Sequence, residues 1–173
     1  MNTNDIHNPR VADTAQVTGN AQVAGNTLVA DNALVAGNAW VTDNAQVADN
    51  AWVAGNARVT GNSRVTGRGD ISSTRHVLTV GPLGSEDRYV TVHRHYDGPN
   101  SRVWGHLVVA GCWKGTLDEL DARIHSGGEH GWNADKADRW RADYEAFIAY
   151  ARHRVVEWEA EPLTQADHDR WAR

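Results

Sequence analysis

The chain has a single cysteine, Cys112, so no internal disulfide can form, and cysteine usage says nothing about secretion. Basic residues are in deficit: 17 Lys and Arg against 22 Asp and Glu leave a charge of −5 at pH 7. That balance argues against a protein that coats nucleic acid by neutralising phosphates. Neither half is a basic module, since residues 1–70 carry four Arg against six Asp and the remainder 13 basic against 16 acidic residues. There is no signal peptide and no long apolar run, so a soluble cytoplasmic protein with no membrane span is expected. Phenylalanine occurs once, against eight tryptophans, and Trp is enriched at binding hot spots. Histidine is missing altogether between Val11 and Asp70.

That histidine-free stretch is strictly periodic. Valine recurs at 11, 17, 23, 29, 35, 41, 47, 53, 59 and 65, with Ala two residues before most of them and Gly-Asn or Asp-Asn between. A six-residue step sets successive valines about 240° apart around a helix axis, so no α-helix can use it. Ala-x-Val reads instead as a short strand that sends Ala and Val to one face and x to the other. Gly, Asn and Asp then supply a bend, because they tolerate positive φ or bond their own backbone. Three equal bends close a triangle of 18 residues, and successive coils stack as parallel strands about 4.8 Å apart. Ten repeats make 60 residues, or about three and a third coils.

This pattern resembles the hexapeptide-repeat superfamily, whose members form a left-handed parallel β-helix, an exception to right-handed crossovers. The resemblance implies a short left-handed prism with the ten valines inward. It also brings acyl transfer into view, the superfamily's most familiar activity. There a histidine, often on a loop thrown out of the coils, acts as general base, and acyl-coenzyme A lies between neighbouring prisms. Here the repeats run without a loop and without a histidine. Only His76 or His7, reaching a neighbouring subunit, could take that role, so an acyltransferase with a relocated histidine is an alternative reading.

The outward positions fall into three columns: Gln16, Leu34, Trp52; Gln22, Trp40, Arg58; and Leu28, Gln46, Arg64. Leu34 and Trp52 are expected as direct neighbours, with Trp40 on the adjoining face. Exposed Trp on a polar prism calls for a partner surface: this chain's own C-terminal half, or a second subunit, since hexapeptide-repeat proteins commonly trimerise through prism faces. Asp13, Asp31 and Asp49 stack at one corner. Close like charges attract a cation or a basic partner. The plain reading is that Asp alternates with Gly as a turn-former; the sharper ones are an ion site and an acidic ladder imitating DNA. The columns Asn26, Asn44, Asn62, then Asn20, Asn38, Asn56, then Asn32, Asn50 read as amide ladders that hold the turns. Arg68-Gly69-Asp70 occurs in the wrong setting for integrin recognition.

Past a linker at 71–75 the period changes. His76–Val80 reads as a strand, and Tyr89–Tyr96 with Arg102–Ala110 as a hairpin in which Tyr96 opposes Arg102. Thr116 and Glu119 form a capping box for a helix with Leu117, Leu120 and Ile124 on one face. A longer helix spans about Ala134–Glu159, with a stripe of Ala137, Trp140, Tyr144, Phe147, Ile148, Ala151, Val155 and Trp158. The expected organisation is a cap or disordered lead-in at 1–10, the β-helix at 11–70, a small α+β (βββαα) domain at 76–161, and a frayed polar tail at 162–173. His93, His95, His106 and Cys112 make a zinc site conceivable. The register turns His106 to the other face, however, so exposed strand histidines and a buried structural thiol are expected, with no metal and no cofactor.

The segment Val108–Leu120 is similar to one in uncharacterised proteins of phages and prophages, some of which also carry hexapeptide repeats. A non-catalytic binding or assembly protein is therefore the main expectation, with a host-takeover role such as inhibiting an immune, anti-CRISPR-type target. Its binding residues are expected among Trp40, Trp52, Leu34, Asp13, Asp31, Asp49, Trp104 and Trp132. A protein partner and a homo-oligomer (trimer or dimer) are expected, with no direct nucleic-acid binding.

Overall fold

A computed structural model describes residues 9–84, 86–126 and 134–172, the side chains of 134–136 excepted. The chain divides into two compact units between Val77 and Leu78.

The first unit is a parallel β-solenoid of about three turns. Eleven two-residue strands, β1 to β11, lie at Arg10–Val11, Gln16–Val17, Gln22–Val23, Leu28–Val29, Leu34–Val35, Trp40–Val41, Gln46–Val47, Trp52–Val53, Arg58–Val59, Arg64–Val65 and Asp70–Ile71. They form three sheets, ordered β1-β4-β7-β10, β11-β8-β5-β2 and β3-β6-β9. Each strand thus pairs with the one 18 residues on, as Val29 with Val47 and Val35 with Val53. Between rungs the backbone bonds regularly: Leu34 N–H donates to the Ala51 carbonyl at 2.9 Å and Ala36 N–H to that of Val53 at 2.8 Å.

The Ala-x-Val repeat supplies the core. Val29 through Val65 at the repeat spacing, together with Ala33, Ala39, Ala45, Ala51 and Ala57, are fully or almost fully buried. Val11 and Val17 are 43% and 39% exposed, and among the described residues their strands pair on one side only. At the other end the prism reaches into the segment expected as linker. Asp70–Ile71 pairs with Trp52–Val53, and Ile71 is completely buried. A 3-10 turn follows at Thr74–His76, its first turn capped by the Ser73 side chain.

The second unit is a four-stranded sheet with helices. Strands β12 (Val77–Leu83), β13 (Arg88–His95), β14 (Gly105–Ala110) and β15 (Trp113–Gly115) lie in that order, with β13–β14 and β14–β15 antiparallel. Helices α1 (Leu117–His125), α2 (Ala134–Glu159) and α3 (Gln165–Trp171) complete it. The capping box of α1 is formed as expected from Thr116 and Glu119. Its face of Leu117, Leu120 and Ile124 packs with Tyr144, Phe147, Ile148, Ala151, Val155 and Trp158 of α2 and with Val90, Val92 and Val108 of the sheet.

Three local expectations need correction. The hairpin register is shifted by two residues from the expected pairing of Tyr96 with Arg102: Arg94 opposes His106 and His95 opposes Gly105, which still turns His106 away from the face of His93; Val103 bridges to Pro162 and the Arg102 carbonyl accepts from Leu163 N–H instead. The short strand β15 was not anticipated. The tail after Pro162 is not frayed: α3 carries its own capping box, Thr164 with Asp167, and Trp171 stacks on Tyr96, ring centroids 5.7 Å apart and planes 11° from parallel.

Candidate binding surface

The corners of the prism decide which polar groups remain on offer. Asp31, Asp43 and Asp49 all sit at positive φ, between 55° and 64°, where Gly37 and Gly55 stand at other corners. Their carboxylates have a second task. Asp31 Oδ2 accepts from Asp49 N–H at 3.1 Å, Asp49 Oδ2 from Gly67 N–H at 2.7 Å, and Asp43 Oδ2 from Gly61 N–H at 2.9 Å. Asp is therefore a turn-former that also stitches its rung to the next, while Asp13 begins the column as an exposed residue. The Asn ladders form as well. Asn20 to Asn38, Asn38 to Asn56, Asn26 to Asn44, Asn44 to Asn62 and Asn32 to Asn50 are linked side chain to side chain at 3.3–3.4 Å.

The three outward columns follow from the strand register. Leu34 pairs with Trp52 on one face, and Trp40 with Arg58 on another. Trp40 is 41% exposed, and the Arg58 guanidinium lies over its ring, 4.9 Å from the centroid. Leu34 and Trp52 are half-buried. The outward column of Gln22, Trp40 and Arg58 expected from the 18-residue spacing places these two side chains together, and the stack follows from that. A guanidinium over an indole face contributes about 0.5–1 kcal/mol at an exposed site, and it orders two long side chains.

Other expected site residues lie elsewhere. Trp104 is 3% exposed, in the core of the second unit, with the Arg94 guanidinium 4.1 Å above its ring. Arg94 in turn donates to Glu161 Oε2 at 2.6 Å. Trp132 lies outside the described residues. Asp70 of the Arg-Gly-Asp tripeptide is 1% exposed, paired within the sheet and unable to reach a receptor.

The histidines are structural in their contacts. His93 is fully buried, not exposed as its alternation with polar neighbours suggested. Burial, with His95, Lys114 and His106 nearby, pushes its pKa down to about 3 despite the bond to the Arg94 carbonyl. His106 Nε2 accepts from Leu117 N–H at 3.0 Å, and Nδ1 faces Glu159 at 3.3 Å. This histidine therefore caps the start of α1 through its unprotonated Nε2, a use of that nitrogen that leaves it no lone pair for a metal. Among the described residues no group of three or more His, Cys, Asp or Glu is placed to hold a metal ion, and no helix is long and apolar enough to cross a membrane. Cys112 is exposed, contrary to the expectation of a buried thiol. With Gly111 it forms the two-residue turn between Ala110 and Trp113, and Gly111 takes φ of 61° there.

No protein-family model matches the chain, and no curated protein or solved structure matches it significantly.

Proposed function

We infer that this is a non-catalytic binding or assembly protein whose rigid prism presents an aromatic–cationic patch to a protein partner. The observation that carries the reading is the Trp40–Arg58 stack, exposed on a face that is otherwise polar. A pre-ordered Trp and Arg lose little further freedom on binding, and these are the residue types most often found at hot spots. The chemistry of the solenoid supports the same reading. From Pro9 to Asp70 the only ionisable side chains are Asp and Arg, so the coils carry no histidine of the kind that serves as general base in acyl transfer. His76, the candidate relocated histidine, is buried, with its Nδ1 at 3.3 Å from both Ser72 N–H and Ser72 Oγ. Acyl transfer is the weaker reading for that reason. The DNA-imitating ladder is weaker too, since Asp31 and Asp49 spend carboxylate oxygens on the backbone of the next rung.

A second copy of the chain, as a dimer or trimer through prism faces, and a host complex to be blocked are the two partners to test. The host-inhibitor form rests on the likeness of Val108–Leu120 to phage proteins. Light scattering of the purified chain, followed by capture from host lysate with wild type and Trp40→Ala in parallel, tests the proposal. A specific complex or oligomer that Trp40→Ala weakens supports it. Saturable binding of acetyl-coenzyme A by calorimetry, with a monomer that captures nothing, overturns it.

A further inference from the structure

Of the three sheets of the prism, one has an outer face that is open on every strand. The outward residues of β3, β6 and β9 (Gln22, Trp40 and Arg58) are all exposed. On the other two sheets the outward positions beyond the first coil are half-buried or buried: Leu28, Gln46 and Arg64 on one, Leu34, Trp52 and Asp70 on the other. Strand order also fixes where the carboxylates lie. Asp13, Asp31 and Asp49 follow strands of the sheet β1-β4-β7-β10 and precede those of β11-β8-β5-β2. Their corner is therefore the one that does not border the open face. The two corners that do border it carry Gly19, Gly37 and Gly55 on one side and Gly25, Asp43 and Gly61 on the other.

The open face is rich in unused donors. The Arg58 guanidinium stacks over Trp40 and makes no hydrogen bond or ion pair among the described residues. Neither the Trp40 indole N–H nor the Gln22 side chain is bonded among them. Asp43, the one carboxylate at the border, is committed to its own corner: Oδ2 accepts from Gly61 N–H at 2.9 Å and from Thr42 Oγ1 at 3.4 Å. The face thus offers one uncompensated cation in a chain of net charge −5.

We propose that this face binds an acidic segment of another protein, with an Asp or Glu carboxylate on Arg58 and an adjoining apolar side chain on the exposed part of the Trp40 ring. The inference rests on the Trp40–Arg58 patch being the partner site and names what that site recognises. A guanidinium stacked on an indole still has its N–H fork to offer, and a carboxylate takes such a fork with two parallel hydrogen bonds. Phosphate dianions and nucleic-acid backbones are held by several Arg and Lys together, whereas the outward column here holds one cation. Placing Asp13, Asp31 and Asp49 at the far corner adds direction: an acidic segment is repelled there and favoured here.

The test selects a random linear-peptide library, displayed on yeast, against the immobilised full chain. Enriched peptides are expected to carry Asp or Glu beside an aromatic or large aliphatic residue. The enriched peptide and its carboxylate-to-amide form are then titrated against wild type and Arg58→Gln as a double-mutant cycle. The amide form is expected to bind wild type about fivefold more weakly, the upper range for a salt-screened pair, and to bind Arg58→Gln no more weakly than the acid form does. Glutamine already stands at the same outward position in β3, so that variant keeps the repeat. Trp40→Ala is expected to weaken the acid peptide about thirtyfold. Peptides that need Trp40 but ignore both the carboxylate and Arg58→Gln overturn the acidic segment and leave the Trp40 surface standing; peptides that ignore Trp40 as well overturn both. An unenriched library, a homo-oligomer that Arg58→Gln dissociates, or a single-stranded oligonucleotide whose binding Arg58→Gln abolishes also overturns the acidic segment.

Discussion

At residue 93 burial decides the charge of a histidine. In the folded chain its pKa is about 3, against about 6.5 for an unperturbed imidazole. Its neutral form is thus the native one. The contribution to stability is complete above pH 6.5 and is lost as pH falls towards 3, by about 1.4 kcal/mol per pH unit. His125 acts in the opposite sense. The Asp121 backbone carbonyl and the Glu145 carboxylate raise its pKa, so its contribution is present at low pH and lost as pH rises. Urea midpoints from pH 7 to 4 should therefore fall less steeply for His93→Gln than for wild type. Parallel slopes would show that His93 is not neutral in the fold. Alternation along β13 correctly placed His93 and His95 on one face, but it could not say that this face is covered. Both faces of the strand are covered from Val90 to Arg94, and period-two alternation distinguishes faces only when one of them meets water. Cys112 was misread for a related reason: its exposure depends on a two-residue turn into β15, a three-residue strand too short to announce itself.

At the scale of the element, each rung is set by its corner. Gly37 has φ of 66°, and a Cβ there would lie 3.0 Å from Gly55 N; Gly61 has the same φ with nothing within 4 Å. Gly61→Ala should cost about 1 kcal/mol, the left-handed penalty alone. Gly37→Ala should cost about 2 kcal/mol or more, since contact with the next rung is added. Gly37→Asp should recover about 1 kcal/mol of that, because its carboxylate can accept from Gly55 N–H as Asp43 does from Gly61. Chemical denaturation of the three variants checks the order, and Gly37→Asp no better than Gly37→Ala would remove the stitching role of the Asp corners. The tail offers a second test. Thr164→Ala deletes the capping hydroxyl of α3 and should cost about 1 kcal/mol, seen as faster amide exchange from Gln165 to Trp171. The solenoid was legible because its information is local and repeated: every sixth residue carries the same instruction. Helix α3 was not, because its seven residues carry no apolar stripe. It is held by Trp171 stacked on Tyr96 and by His168 Nδ1 at 2.9 Å from the Tyr96 hydroxyl, contacts across more than seventy residues of chain.

For the whole molecule, the acidic corner and the Trp40 face compete as the place where a partner sits, and their energetics differ. An exposed carboxylate offers a salt-screened contact of about 0–1 kcal/mol. A Trp that becomes buried at an interface costs about 2 kcal/mol or more when truncated. A partner seated on Trp40 would meet it already stacked with Arg58, so less ordering entropy would oppose binding. The corner is then expected to govern association rate and salt sensitivity, and the aromatic face the lifetime of the complex. Changing Asp13, Asp31 and Asp49 together to Asn tests this with little disturbance to the rungs. Asn tolerates positive φ, and its amide oxygen can still accept the backbone N–H groups that Asp31 and Asp49 hold. That triple variant should associate more slowly at low salt and keep its complex at physiological salt. Trp40→Ala should shorten the lifetime of the complex about thirtyfold, the equivalent of 2 kcal/mol, and Arg58→Ala should shorten it less, by the stacking contribution. Dissociation rates measured for the captured partner, or for subunit exchange if the partner is a second copy, decide between the surfaces. Loss of binding in the triple Asn variant, with Trp40→Ala and Trp52→Ala unchanged, would move the site to the carboxylate corner and make imitation of a nucleic-acid backbone the better account of the prism.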